Sequence, residues 1–358
     1  MVDGIYIHIP FCINKCNYCD FLSFKSKEEE RREYVDYLLK EIDLYPKYEY
    51  STVYLGGGTP SLLNCEDVER IIKKLDIQEE AEITLEVNPK TVNLEKLKKL
   101  REIGINRVSI GIQTFDDEML KVLGRMHSSQ EGIETYWQAR EAGFENISLD
   151  LMFSLPNQSF DKVRYDLERL LELRPEHFSI YSLIWEEGTP FFKKLEEGEY
   201  SETENELEAQ MYEYIIGRAT EAGYIHYEIS NFSLPGKEAR HNSKYWENKE
   251  YLGIGLGASG YIDDKRYKNQ MQISKYYANI NRGKLPLMEI ETLDIKSKEQ
   301  YRYILGFRLL TKGVIPSDEY LEKCISLEKR GFLYRIGESF LLTKKGIMLA
   351  NDVLDEFI

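Results

Sequence analysis

From residue 4 to about residue 182, short apolar runs rich in β-branched residues alternate with longer amphipathic stretches. The short runs, at 4–9, 52–55, 82–87, 107–110, 146–151 and 177–181, have the length and composition of strands. Between them, stretches such as 28–44, 66–75, 94–103, 130–142 and 160–173 carry apolar residues at helical spacing. Strand and helix in alternation predict right-handed βαβ units and a parallel sheet. Six units fall short of the eight of a closed barrel, so the expected fold class is α/β, a partial (β/α)6 parallel barrel. Functional residues in such folds collect at the C-terminal ends of the strands, where this chain places its glycine-rich and polar segments.

Beyond residue 182 the pattern loosens. Residues 202–222 read as a long amphipathic helix, acidic toward its start as the helix dipole favours, and 223–232 read as a strand. A polar, aromatic stretch follows to about residue 287. The remainder, from 294, is mainly helical, with a small hairpin expected from 331–334 and 340–343. The domains expected are thus a barrel over 1–232, a bridging segment over 233–290 and a C-terminal helical unit over 291–358 that resembles a winged helix. Charges in that last unit are nearly balanced and form no basic stripe, which predicts packing rather than DNA binding.

The first strand ends in Ile9-Pro10-Phe11 and runs into Cys12, Cys16 and Cys19, a Cys-x3-Cys-x2-Cys loop. Thiolates at this spacing can hold three irons of a cubane cluster and leave the fourth without a protein ligand. An open coordination position is where a metal site does chemistry. A disulfide would leave one of the three thiols unpaired. Zinc with His8 as fourth ligand is open by count, although structural zinc takes its ligands from two separated knuckles and His8 lies within the strand. Cys65 and Cys324 fall in helix-like segments without ligand spacing and read as packing residues.

The 358 residues, 42% of them hydrophobic, suit one large α/β domain plus a smaller one. A formal charge of −15 argues against a nucleic-acid partner, which would need a basic face. No apolar run approaches 18 residues and the first strand starts beside Met1, so neither a membrane span nor a removable leader is expected. An oxygen-sensitive cluster belongs in a reducing cytoplasm.

The Cys-x3-Cys-x2-Cys string resembles the signature of radical S-adenosylmethionine (SAM) proteins. Gly56-Gly57-Gly58-Thr59-Pro60 follows the second strand. It is similar to the segment that meets the amino group of the methionine moiety in that family, through backbone that only small residues bring close. Glu86, Gln113, Arg125 and Asp150 fall at or just past strand ends. In order and spacing they resemble the SAM site of the oxygen-independent coproporphyrinogen III oxidase group. That resemblance implies a carboxylate for the ribose hydroxyls, an arginine for the SAM carboxylate and amides for the adenine edge. It also implies that Tyr6 and Tyr18 flank the cofactor, and less strongly that Ile184 does.

Two features place the chain within that group. The oxidases carry a further cysteine where Phe21 stands here, and an extension ahead of the first strand. Residues 241–246, His-Asn-Ser-Lys-Tyr-Trp, match the His-Asn-x-x-Tyr-Trp mark of the HemW-type haem chaperones. By that resemblance His241, Tyr245 and Trp246 serve haem, since imidazole ligates iron and aromatic faces suit a porphyrin. The implied function is haem binding and delivery to apo-haemoproteins, including membrane-bound respiratory ones reached from the inner face, with a 4Fe–4S cluster, SAM and an electron donor. A homodimer is compatible with the sequence. A coproporphyrinogen oxidase, another radical SAM enzyme acting on a tetrapyrrole and a zinc-stabilised interaction protein stay open as rivals. Gly255-x-Gly257-x-x-Gly260 imitates a dinucleotide fingerprint but lacks the following helix and acidic residue, and reads as a glycine-rich strand or turn.

Overall fold

The structure, a computed structural model, describes residues 2–358. Its first half runs β1 (Gly4–Ile9), α1 (Glu28–Ile42), β2 (Glu49–Gly57), α2 (Cys65–Lys74), β3 (Asp76–Val87), α3 (Leu94–Ile103), β4 (Arg107–Gln113), α4 (Asp117–Leu123), α5 (Ser129–Glu141), β5 (Ile147–Phe153), α6 (Phe160–Leu173) and β6 (His177–Ser182). The six strands pair in parallel, each with its neighbour in sequence, as the alternating pattern predicts. Helices α2, α3 and α5 begin on side-chain caps from Asn64, Asn93 and Ser128, worth about 1 kcal/mol each.

Each strand is apolar on its outer face and polar on its inner one. Ile5, Ile7, Ile9, Val108, Ile110, Ile112, Leu149 and Leu151 are sealed beneath the helices. Thr52, Thr84, Arg107, Ser109, Ser148 and His177, on the alternate positions, are nearly as buried but face the concave side. Central strands of parallel sheets ordinarily read as continuous apolar runs because both faces are dry. Here the alternation persists because the concave face encloses polar groups. A buried polar group without a partner costs about 1–3 kcal/mol, and several of these side chains pair, whereas Thr84 Oγ1 and Arg107 Nε have no acceptor or donor beside them. Ser148 meets His177 Nδ1 at 2.8 Å, and His177 Nε2 meets the Tyr227 hydroxyl at 2.8 Å.

The second half continues with α7 (Pro190–Glu196), α8 (Asn205–Glu221), β7 (Ile225–Glu228), β8 (Asn231–Ser233), α9 (Arg240–Trp246), β9 (Leu252–Ile254), β10 (Ser259–Ile262), β11 (Lys265–Asn269), α10 (Ile273–Asn281) and β12 (Leu287–Thr292). The single strand expected over 223–232 is two antiparallel strands, with β8 pairing antiparallel to β6. Buried Glu228 forces the break, because its carboxylate accepts from the Ser230 amide and from Asn231 within the turn. The division expected at residue 233 is no boundary either: β9 joins the main sheet parallel to β1. Glu41 of α1 explains why. Wholly buried, it accepts from the Gly255 amide (2.9 Å), Asn269 Nδ2 (2.7 Å) and the Tyr276 hydroxyl (2.5 Å), all supplied by the supposed bridge. The glycine fingerprint of that region is a turn, with Gly255 at φ +102° aiming its amide at Glu41. Strands β10, β11 and β12 form a separate antiparallel sheet.

The C-terminal unit comprises α11 (Ile295–Gly306), α12 (Asp318–Lys329), β13 (Leu333–Ile336), β14 (Ser339–Leu342), α13 (Lys344–Met348) and α14 (Ala350–Asp355). It has its own core around Tyr303, Phe307, Leu327, Phe340 and Phe357. The hairpin is tighter than expected: Ile336 pairs with Ser339 across a two-residue turn that starts at Gly337, φ +60°. The unit is joined to the barrel by the Leu310 amide on the Tyr227 carbonyl (2.9 Å) and by Arg308 on Glu228 (2.9 Å). Among the described residues no helix is long and apolar enough to cross a membrane.

Burial pushes the Glu41 carboxyl up to about 7, against the pull of its three donors. Its unfolded value is about 4.3. The native state therefore holds this proton more tightly, and the resulting stability is present in full at acid pH and lost as pH rises through about 7. Urea unfolding at about pH 5 and about pH 8 should show stability falling, with up to about 3 kcal/mol due to this group. Glu41→Gln should remove that portion of the slope.

Candidate metal and cofactor site

The cysteine loop is pinned at both ends and in the middle. Phe24 donates its amide to the Pro10 carbonyl (2.9 Å) and Cys12 donates to the Phe24 carbonyl (3.0 Å), closing the loop where β1 ends. Phe11 and Phe24 lock this staple edge to face, with ring centroids 5.4 Å apart. At the far side the Asn17 amide donates to Leu123 (3.0 Å) and its Nδ2 to Val122 (2.8 Å), and Phe191 donates to Asn17 (3.0 Å). His8 reaches up from β1 to the Leu22 carbonyl (3.0 Å) through Nε2, while its Nδ1 meets the Tyr6 hydroxyl (2.8 Å). Both of its ring nitrogens are engaged, which removes the fourth ligand that a zinc reading needs.

All three thiols face one cavity of about 580 Å³ on the concave side of the sheet. Cys12 Sγ lies 3.5 Å from Thr59 Oγ1, and Arg125 Nη1 donates to Cys16 Sγ at 3.6 Å. Burial, with Cys16 and Cys12 close by, pushes the Cys19 thiol up to about 11. Such crowded thiols need positive charge to ionise together, and irons supply it. Among the described residues no three His, Cys, Asp or Glu side chains gather tightly enough for a single ion. A cubane instead takes one thiolate at each of three irons.

The glycine turn after β2 is a cradle that side chains would fill. A Cβ on Gly57, which sits at φ +112°, would lie 2.5 Å from the His8 ring, and one on Gly58 would lie 2.7 Å from the Phe11 carbonyl oxygen. Glu86 stands beneath, accepting from the Tyr54 hydroxyl (2.8 Å) and the Gly57 amide (3.0 Å). Burial pushes its carboxyl up to about 7 despite these donors. Asp150 is likewise raised by burial and accepts from Ser109 at 3.1 Å. Arg125 binds Asn88 Oδ1 (2.5 Å) and the Gly111 carbonyl (2.7 Å), and Asn88 in turn donates to Thr59 Oγ1 (2.7 Å). Gln113 sits at a bulge between β4 and β5 in the left-handed region, φ +70°. A non-glycine residue there is strained, and the bulge swings its side chain to the Tyr181 hydroxyl (3.0 Å) on the cavity wall.

Cys12, Cys16, Cys19, Tyr18, Gly57, Gly58, Thr59, Glu86, Gln113, Arg125, Asp150 and Trp246 therefore share one cavity wall. Tyr6 does not reach it, because its ring is held under Gly56 and its hydroxyl is taken by His8. Ile184 is exposed away from the wall. Neither His241 nor Tyr245 lines the cavity. His241 is wholly buried, with Nδ1 on Thr52 Oγ1 (2.9 Å), Nε2 on the Tyr245 hydroxyl (2.7 Å) and its ring stacked on Tyr54. Burial above all pushes its pKa down to about 3, and no nitrogen is left open for iron. The sequence reading missed Arg107, Ser109, Glu228 and Arg308, which do line the cavity. The first two were visible as alternate polar positions in Arg107-Val108-Ser109-Ile110-Gly111-Ile112-Gln113.

The radical SAM superfamily model matches residues 6–170. The heme chaperone HemW of Lactococcus lactis subsp. lactis (strain IL1403) is 36% identical over 99% of this chain and 97% of its own length. The chain belongs to the HemW family. The HemW of Bacillus subtilis (strain 168) is 34% identical over 99% of this chain and 98% of its own. Among solved structures, coproporphyrinogen III oxidase (HemN) from Escherichia coli superposes with a TM-score of 0.86 at 23% identity, over 99% of this chain and 90% of that one. That likeness establishes a common fold, a radical SAM partial barrel.

For a HemW-family chain the radical SAM domain implies a 4Fe–4S cluster and SAM. The residues present fit both: three thiols on one cavity, a glycine cradle, and the buried carboxylates of Glu86 and Asp150 on the same cavity. Cys12→Ser, Cys16→Ser and Cys19→Ser should each lose most of the reconstituted iron and labile sulfide. Cys65→Ser and Cys324→Ser should keep it. Iron and sulfide analysis of the five variants checks this.

Proposed function

We propose that this chain is a haem chaperone, binding haem as cargo and delivering it to apo-haemoproteins. The observation that carries the reading is likeness over nearly the whole length to two proteins described as heme chaperones. The fold does not discriminate, since HemN shares it. Residue chemistry adds support. Phe21 occupies the place of the oxidases' extra cysteine, and it stands 60% exposed at the cavity rim.

In this reading Cys12, Cys16 and Cys19 hold the cluster. Gly57, Gly58 and Thr59 meet the methionyl amine of SAM. Glu86 and Asp150 receive ribose hydroxyls, Arg125 takes the methionyl carboxylate and Gln113 meets the adenine edge, with Tyr18 alongside. Reduced cluster and SAM together supply one-electron chemistry when bound. The protein positions the pair behind the stapled loop. The string at 241–246 acts indirectly: His241 and Tyr245 strut α9 against β2, so that Trp246 is presented to the cavity. Acceptors would be apo-haemoproteins, membrane-bound respiratory ones among them, met from the cytoplasmic side.

The test is anaerobic incubation of the cluster-reconstituted chain with SAM, a reductant and coproporphyrinogen III. Haem titration and transfer to an apo-cytochrome run alongside. No protoporphyrinogen, with saturable haem binding and transfer, is the expected result; catalytic turnover would make the chain an oxidase. Trp246→Ala should weaken haem about tenfold with a nearly unchanged melting temperature, since one aromatic face is worth about 1 kcal/mol. His241→Ala should instead lower stability by about 1–3 kcal/mol, read by urea unfolding, as two buried partners lose their bonds.

A further inference from the structure

Arg107 opens β4 on the inner face and lines the cavity, yet it is only 2% exposed. Among the described residues no hydrogen bond or ion pair holds its guanidinium, and its Nε is fully buried without an acceptor. A guanidinium carries five donors in a planar fork and keeps its charge. Leaving such a group dry and unpaired costs several kcal/mol, and proteins retain it where something else completes it.

The surrounding carboxylates do not complete it. Glu86 and Asp150 feel its field, but Glu86 is bonded to Tyr54 and Gly57, and Asp150 to Ser109. Glu82 accepts the amides of Arg240 and His241. Glu228 is paired with Arg308. The remaining titratable groups that sense Arg107 are Tyr54, His177, Tyr227 and His241, and burial holds both histidines neutral.

A second observation points the same way. Arg308, from the C-terminal unit, lies over the Trp246 indole, 4.4 Å from its centroid, and both line the cavity. Trp246 Nε1 is itself buried without an acceptor. The cavity therefore holds unmet donors: the Arg107 guanidinium and the orphan indole N–H of Trp246. Glu228, which also lines the cavity, is committed to Arg308.

We infer that Arg107 is the receptor for a carboxylate of the ligand held in this cavity, gripping it through the guanidinium fork. Two carboxylates could come from the chemistry already described, a tetrapyrrole propionate or the methionyl carboxylate of SAM. The propionate rests on the haem-chaperone reading, whereas the receptor itself does not. Its place at the start of β4, at the other end of the strand from the SAM-facing loops, on a cavity that the Trp246 indole also lines, favours the propionate.

The experiment titrates the cluster-reconstituted full chain with haem, haem dimethyl ester and SAM, for wild type, Arg107→Gln and Arg107→Lys. Wild type should prefer haem over the diester at least tenfold, about 1.4 kcal/mol. Arg107→Gln should erase that preference by weakening haem alone, with the diester and SAM unmoved. Arg107→Lys keeps the charge but not the fork and should recover only part of the loss. If SAM weakens instead while haem does not, the receptor stands and its carboxylate is the methionyl one. If wild type binds no haem, the chaperone reading fails and the SAM arm alone decides the receptor. Haem and diester weakened alike, or no ligand weakened in a folded variant, overturns the proposal. Should Arg107→Gln fail to melt cooperatively, Arg107→Lys decides on the same haem-to-diester ratio.

Discussion

A carboxylate on the concave side of a sheet, shut off from bulk water, must find donors or give up its charge. Glu86 finds both of its donors on the neighbouring strand, in the Tyr54 hydroxyl and the Gly57 amide. That choice fixes much of the site. It holds the glycine turn open at the end of β2, and the turn accepts the His8 ring against Gly57 and the loop backbone against Gly58. His8 then ties down Leu22, the far arm of the cysteine loop. Carboxylate, glycine cradle and thiol loop thus form one chain of contacts, each too close for a larger residue. Because burial sets Glu86 near neutrality, its protonation responds to whatever charge fills the cavity.

The same need for partners explains which parts of the molecule could be read along the chain. The strands and helices of the barrel were legible because their apolar faces repeat locally, every second or every third to fourth residue. So was the cysteine loop, whose chemistry lies within eight consecutive residues. Long-range pairing was not. Nothing near Glu41 shows that its donors come from Gly255, Asn269 and Tyr276, yet those bonds fold the supposed bridge onto the barrel edge. Nothing near residue 228 shows that its carboxylate will break a strand in two. His241 is the sharpest case: a motif gave it an iron, while Thr52 and Tyr245 take both of its nitrogens.

Arg107 shows the opposite failure. Its signal was present in the sequence as a polar residue in phase with Ser109, Gly111 and Gln113, but a charged residue at a strand start is ordinarily a solvated end. Only the partial closure of the sheet, with α9 and the C-terminal unit packed across the lower strand ends, turns that position into an interior. The C-terminal unit is therefore part of the cavity rather than an appendage. Its Arg308 supplies wall, its Leu310 amide is anchored on β7, and its own core keeps that wall rigid.

A shared fold and a divergent task meet in this inner compartment. HemN and this chain superpose over nearly their whole length, so the scaffold, the stapled loop and the strand order are compatible with either chemistry or transport. On the haem-chaperone reading, what differs would lie in how a bound tetrapyrrole is held. Catalysis requires a substrate carbon fixed against the cofactor, whereas a carrier needs grip that a competing protein can undo. On that reading, donors on a buried fork at one end and the exposed side chains of Phe21, Ile13 and Met126 at the rim would give that second kind of grip. The charged end would then be specific and the apolar end accessible, so that an acceptor would engage the exposed part of the ligand before the buried carboxylate is released.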